Sequence, residues 1–409
     1  MELKRVVVTG LGAVTPIGNS VSEYWDSLLK GVSGAGPITL FDASKFKTQF
    51  ACEVKNFDPL KYFEKKEVRK YDRYAQFAIA AATESVEDAG FDMEAVDKDR
   101  VGVIFAAGIG GIATFEQEVG GFYASEERIP RFNPFFIPKM IGDIAAGHIS
   151  MMYGFRGPNF GTVSACASST HAISVAFDLI RLGKADAIVA GGAEAAITAG
   201  GVGGFNSMHA LSTRNDDPEH ASRPFSKSRD GFVMGEGSGS LVLEELEHAL
   251  KRGAKIYAEV VGTGLTADAY HITLPHPEGE GVVVAAEVVA ITQEDVPAQG
   301  EAVGGAERKA YADQHEQDEA EALHPGEHEE EGLGRVLSAA KSAEEERPHE
   351  HTAETGGSRS GDSGQQAERT AESALHKEHD RGAERGKGGR HDHDFPQEAP
   401  RPEHEPVDT

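Results

Sequence analysis

The chain has 409 residues, enough for two or three ordinary domains or one large two-part fold. Lys plus Arg number 40 against 67 Asp plus Glu, and a formal charge of -27 argues against a nucleic-acid binder or a partner of acidic membrane surfaces, which need a basic face. Two cysteines, Cys52 and Cys166, are too few for a disulfide framework and fit a reducing, cytoplasmic compartment.

In chain order, Arg5 to Thr9 reads as a first β-strand and not as the apolar region of a signal peptide, because glycines and a proline interrupt the apolar residues after it. No apolar run reaches the roughly 18 residues of a spanning helix, so no membrane insertion is expected. Gly10-Leu11-Gly12 lacks the third glycine of a dinucleotide-binding fingerprint, which would fall at Thr15, and is assigned to a turn. Lys65, Lys66, Arg69, Lys70 and Arg73 form a basic cluster. Their spacing predicts that Lys66, Arg69, Lys70 and Arg73 share one helical face, either simply solvated or able to steer an acidic partner.

A helix is predicted over Ala75–Ala89, closed by Gly90, and a strand over Val101–Ala106. Further strands are predicted at Asn159–Val163, Ala187–Ala190, Ser238–Leu243 and Ile256–Val261, with a helix from Glu244 to Arg252. Short apolar runs alternating with amphipathic ones predict an α/β fold with buried strands. The Gly-rich runs 107–111 and 235–239 match no phosphate-binding loop and are assigned to close backbone packing.

The segment Gly161–Ala195 is the most informative. A β-branched pair, Thr162 and Val163, leads to Cys166 among small residues, and Ile173, Ala176, Phe177 and Ile180 then recur with helical period. This is strand, tight turn and helix, with the cysteine at the turn. Such an elbow aims a thiol at the positive end of the helix dipole and leaves room for a substrate, while a buried structural cysteine is the competing reading.

Composition breaks near residue 300. The last 109 residues hold 28 acids, 13 bases, ten His and only eight Leu, Ile, Val or Phe, too little apolar matter to offset ordering entropy. Residues 301–409 are therefore expected to be a disordered acidic, His-rich tail. His349, His351, His391 and His393 could take up divalent metal loosely, but no spacing there defines a metal site.

Up to about Gly281 the sequence resembles the elongating β-ketoacyl-acyl carrier protein synthases, most like the synthase II type of bacterial fatty acid synthesis. The matching pieces include RVVVTGLGAVTPIGN at the start, FNPFFIPKMI from Phe132, GTVSACASSTHAI around Cys166, GGFNSMHALSTRND from Gly203 and ASRPFSKSRDGFVMGEGSG from Ala221. The resemblance implies a thiolase-like layered α/β fold of two similar halves, working as a homodimer. Residues 1–262 would be the N-terminal synthase domain, 263–300 the start of an incomplete second one, and 301–409 a tail in place of its remainder.

The implied reaction is a decarboxylative condensation of an acyl thioester with malonyl-acyl carrier protein, without a cofactor or metal. Cys166 would accept the acyl group. Phe136 would line the approach, Ile109 the acyl pocket, and Lys66, Arg69, Lys70 and Arg131 would dock the carrier protein. The family's two catalytic histidines lie in His-Gly-Thr and Gly-His-x-x-Gly motifs of the second half, and neither motif occurs here. The chain has the family's length without its second half, which favours a shift of reading frame near 282–300 and a chain inactive in condensation. Two alternatives are a non-catalytic chain-length-factor-like partner, against which Cys166 speaks, and an acyl or carrier-protein binding module.

Overall fold

The computed structural model describes residues 3–286. In chain order these form β1 (Val6–Val14), α1 (Val21–Leu29), β2 (Gly36–Pro37), β3 (Phe50–Ala51), α2 (Lys65–Val68), α3 (Arg73–Ala89), β4 (Val101–Ala106) and α4 (Ile112–Ala124). Next come α5 (Phe136–Met140), α6 (Ile144–Tyr153), β5 (Asn159–Phe160), α7 (Ser168–Arg181), β6 (Ala187–Glu194), α8 (Ala199–Ser207), β7 (Gly237–Glu245), α9 (Leu246–Lys251) and β8 (Ala258–Val260). The acidic stretch 301–409, with its histidines, lies outside the described residues.

Six strands make one mixed sheet in the order β5-β4-β6-β7-β1-β8, with β4 parallel to β5 and β6 and the remaining pairs antiparallel. Successive strand residues point to opposite faces, and the packing obeys that period. On β4, Val101, Val103 and Phe105 join the core built with α3 and α6, whereas Ile104 and Ala106 join the core built with α7. β6 divides likewise, Ala187 and Val189 to the first side and Ile188 and Ala190 to the second. Burial on both faces explains why these strands read as continuous apolar runs.

The helix foreseen at Ala75 begins at Arg73, because the Asp72 carboxylate caps it by accepting the Tyr74 N–H, and it ends at Gly90 in the left-handed conformation with φ 63°. The assignment of Gly10 and Gly12 to a turn is corrected. Both lie inside β1, where a side chain would overlap the carbonyls of Ser85 and Ala81 on α3. They are glycine so that helix and strand can close on each other, and the turn comes later, at Thr15–Gly18.

The helix predicted from Glu244 starts at Leu246, since Glu244 and Glu245 are the last residues of β7. Buried Glu244 accepts hydrogen bonds from the Thr9 hydroxyl at 2.7 Å and from Arg252 Nε and Nη2, each at 2.7 Å, and its carboxylate lies 2.6 Å from His248 Nδ1. Burial pushes this carboxyl up, but the hydrogen bonds from Arg252, Thr9 and His248 outweigh it and hold the group below its ordinary value. The strand expected over Asn159–Val163 pairs only at Asn159 and Phe160. Among the described residues no helix is long and apolar enough to cross a membrane.

Candidate active site

Cys166 occupies a single 3-10 turn, Ala165–Ala167, that runs directly into α7 at Ser168. The turn is bent by Ala165, which has φ 50°, a left-handed conformation that costs an L-residue about 1–2 kcal/mol. Small neighbours and the bend leave Cys166 exposed. Polar contacts knit the turn together. Ser168 Oγ accepts the Ser164 N–H at 2.8 Å and donates to the Ala165 carbonyl at 2.7 Å, and Ser164 Oγ lies 2.7 Å from His171 Nδ1.

The thiol stands on the wall of an open cavity of about 970 Å³. Ile109, Ile173, Phe205, Phe232 and Met234 are among its apolar lining, and residues of β1, β6 and β7 form much of the rest. Two acids also line it, the buried Glu236 and the half-buried Glu194. Glu194 accepts the N–H groups of Ile109 at 2.8 Å and Gly110 at 3.2 Å, and so fixes the loop that presents Ile109. Burial pushes the Glu194 carboxyl up, and the backbone donors offset this only in part.

Of the residues singled out from the sequence, the fold brings Cys166 and Ile109 to one cavity. Phe136 is not in its lining. It opens α5, stacked on Phe132 with ring centroids 5.5 Å apart and 6.4 Å from Phe115. Arg131 is exposed between α4 and α5.

The common helical face expected for Lys66, Arg69, Lys70 and Arg73 is not formed. α2 ends at Val68, Arg69 is its C-cap, and Asp72 starts a separate helix, so the spacing of three and four spans two elements. Lys66 and Lys70 pair with Glu64 at 2.8 Å and Glu67 at 2.6 Å on the exterior. Arg73 turns inward instead, over the Phe77 ring at 4.8 Å and onto the Glu236 carboxylate.

Cys52 is built in differently. It bridges to Gly235 behind the cavity wall, and burial pushes its thiol up. Glu194, Glu236 and the Ser168 contacts are not among the residues singled out from the sequence. Gly235-Glu-Gly-Ser-Gly is the available signal for the second, since a side chain at Gly237 would overlap the Val14 carbonyl, as close packing demands. Among the described residues no group of three or more His, Cys, Asp or Glu is arranged to hold a metal ion.

Residues 3–249 match the family model described as Beta-ketoacyl synthase, N-terminal domain. The chain is 50% identical over 281 residues to a 3-oxoacyl-[acyl-carrier-protein] synthase 2 from Synechocystis sp., an alignment covering 69% of this chain and 67% of that relative. Among solved structures it resembles a β-ketoacyl synthase from Burkholderia phymatum, with TM-score 0.64 and 33% identity over 70% of this chain and 71% of the other. It also resembles a ketosynthase solved with its type II PKS acyl-carrier protein and bound to the hexaketide, with TM-score 0.62 and 32% identity over 72% and 71%.

Proposed function

The chain belongs to the β-ketoacyl synthase family of acyltransferases, and we propose on that premise that Cys166 accepts an acyl group from an acyl carrier protein. The observation that carries this reading is the position of Cys166, exposed on a bent turn at the start of α7 and facing an apolar cavity. The Cys166 thiolate attacks the thioester carbonyl, its sulfur–carbon bond forms as the bond from that carbon to the carrier's sulfur breaks, and the departing carrier thiolate takes up the proton that the Cys166 thiol released. Ile109 contacts the acyl chain in the shared cavity, and Phe136 guards the approach. Lys66, Arg69, Lys70 and Arg131 meet the acidic carrier. The family's setting is fatty acid elongation in the cytoplasm by a homodimer, of which this chain performs the acyl-transfer step.

Condensation needs more. Decarboxylation of malonyl-carrier protein places negative charge on a thioester oxygen, and each donor aimed at such an oxygen is worth about 3 kcal/mol of barrier. The resemblance assigns that work to two histidines in motifs that these 409 residues lack. We therefore propose that the chain forms the acyl-enzyme and stops there. Incubation with an acyl-carrier thioester should raise the intact mass by one acyl group, and Cys166→Ala should abolish the increase. An adduct that persists in that variant would remove the assignment.

A further inference from the structure

The turn that carries Cys166 holds a non-glycine residue, Ala165, at φ 50°. A residue in that conformation persists only where its surroundings over-determine it. Here one side chain adds to the turn's own backbone bonds, Ala167 N–H to the Ser164 carbonyl and Ser168 N–H to the Ala165 carbonyl. Ser168 is 3% exposed, and its hydroxyl receives the Ser164 N–H while donating to the Ala165 carbonyl, so it grips the backbone on both sides of the Ser164–Ala165 peptide. The Ser168 backbone is fixed in turn, since its own N–H donates to the Ala165 carbonyl and its carbonyl accepts the Thr162 hydroxyl at 2.8 Å.

Ser164 does not cap the turn with its own hydroxyl, which lies instead against His171 Nδ1. Ser168 supplies the side-chain bond at this end of the turn, to the N–H of Ser164, the residue that precedes it.

We propose that Ser168 is a positioning residue for Cys166: its hydroxyl holds Ala165 in the left-handed conformation and thereby fixes where the thiol stands on the cavity wall. The inference rests on Cys166 being the reactive thiol of the proposed acyl transfer and does not depend on condensation. It differs from a packing role in one respect. If Ser168 acts by stabilising a left-handed alanine, then a residue that adopts that conformation freely makes Ser168 dispensable.

The test compares the native chain with Ser168→Ala, Ser168→Thr, Ala165→Gly and the Ser168→Ala/Ala165→Gly double variant. Iodoacetamide alkylation of Cys166 is tracked by peptide mapping, with Cys52 in the same molecule as internal reference, beside acyl-adduct formation and thermal unfolding. Ser168→Ala should slow alkylation of Cys166 relative to Cys52 about tenfold, within the range over which a thiol's surroundings tune its reactivity. Ser168→Thr should stay near the native rate, and Ala165→Gly should restore it in the Ser168→Ala background.

A native rate in Ser168→Ala, or no recovery in the double variant, would overturn the proposal. Should Ser168→Ala fail to fold, regained folding and reactivity in the double variant would support the proposal, and an unfolded double variant would overturn it. A native chain that accepts no acyl group yet shows this alkylation pattern would remove the acyl-transfer reading and leave the positioning role standing.

Discussion

Arg73 and Glu236 join the first residue of α3 to the cavity wall: the guanidinium reaches the carboxylate through Nη2 at 2.6 Å and Nε at 2.9 Å. The Glu236 side chain is fully buried, and the Val54 N–H supplies a further donor at 2.9 Å. Removing the cation leaves a buried charge without its partner. Arg73→Ala should therefore cost about 3 kcal/mol in urea unfolding. Arg73→Lys keeps the charge without the fork and should fall between. A loss no larger than that of an exposed surface substitution would show that Glu236 finds another partner.

Gly12 faces the Ala81 carbonyl so closely that a methyl group cannot enter without moving α3 away from β1. Gly12→Ala should destabilise the fold by about 2 kcal/mol, as overpacking does. Gly31→Ala is a contrasting control, since no atom lies within 4 Å of a side chain there and only the positive φ opposes it. Equal stability of native and Gly12→Ala chains would mean that the helix and strand can part without cost.

That glycine also marks the limit of what the sequence discloses. Val101–Ala106 and Ala75–Ala89 are legible because burial on one or both faces imprints a local period on consecutive residues. Cys166 is legible because its turn is announced by small residues and leads into Ile173, Ala176, Phe177 and Ile180 on one helical stripe. Gly12 is misread because a glycine under a helix and a glycine in a turn leave the same local signal. The shared helical face of the basic cluster is misread because helical spacing continues across the break from Arg69 to Asp72. Glu194 holding the Ile109 loop and Arg73 reaching Glu236 are long-range pairs, and no local pattern encodes either.

Glu244 makes stability depend on pH. Its folded carboxyl lies below the ordinary value of about 4.3, because its hydrogen bonds outweigh the burial that raises it. The contribution is therefore complete above the unfolded value and lost as pH falls through the folded one. Glu244→Gln should lower stability at neutral pH and flatten the acid limb of a stability profile below about pH 4.3. An acid limb of unchanged slope would place the acid sensitivity elsewhere.

Lys66, Arg69 and Lys70 stand on the exterior around the end of α2, with Lys66 and Lys70 paired to neighbouring acids. Reversing all three to Glu should slow association with an acyl carrier protein and reduce its salt dependence, while the unfolding temperature hardly moves. Binding kinetics at two ionic strengths would measure this. Unchanged affinity would return these side chains to the role of a solvated surface.

The proposed separation of acyl transfer from condensation in this chain can be measured in one reaction. The native protein is supplied with an acyl-carrier thioester and malonyl-carrier protein, and the mass of the Cys166 peptide is followed alongside released carbon dioxide and ketoacyl product. The prediction is a stoichiometric acyl adduct on Cys166 with carbon dioxide and product no higher than in the Cys166→Ala chain. Sustained release of ketoacyl product, or no adduct on Cys166 at all, would contradict it.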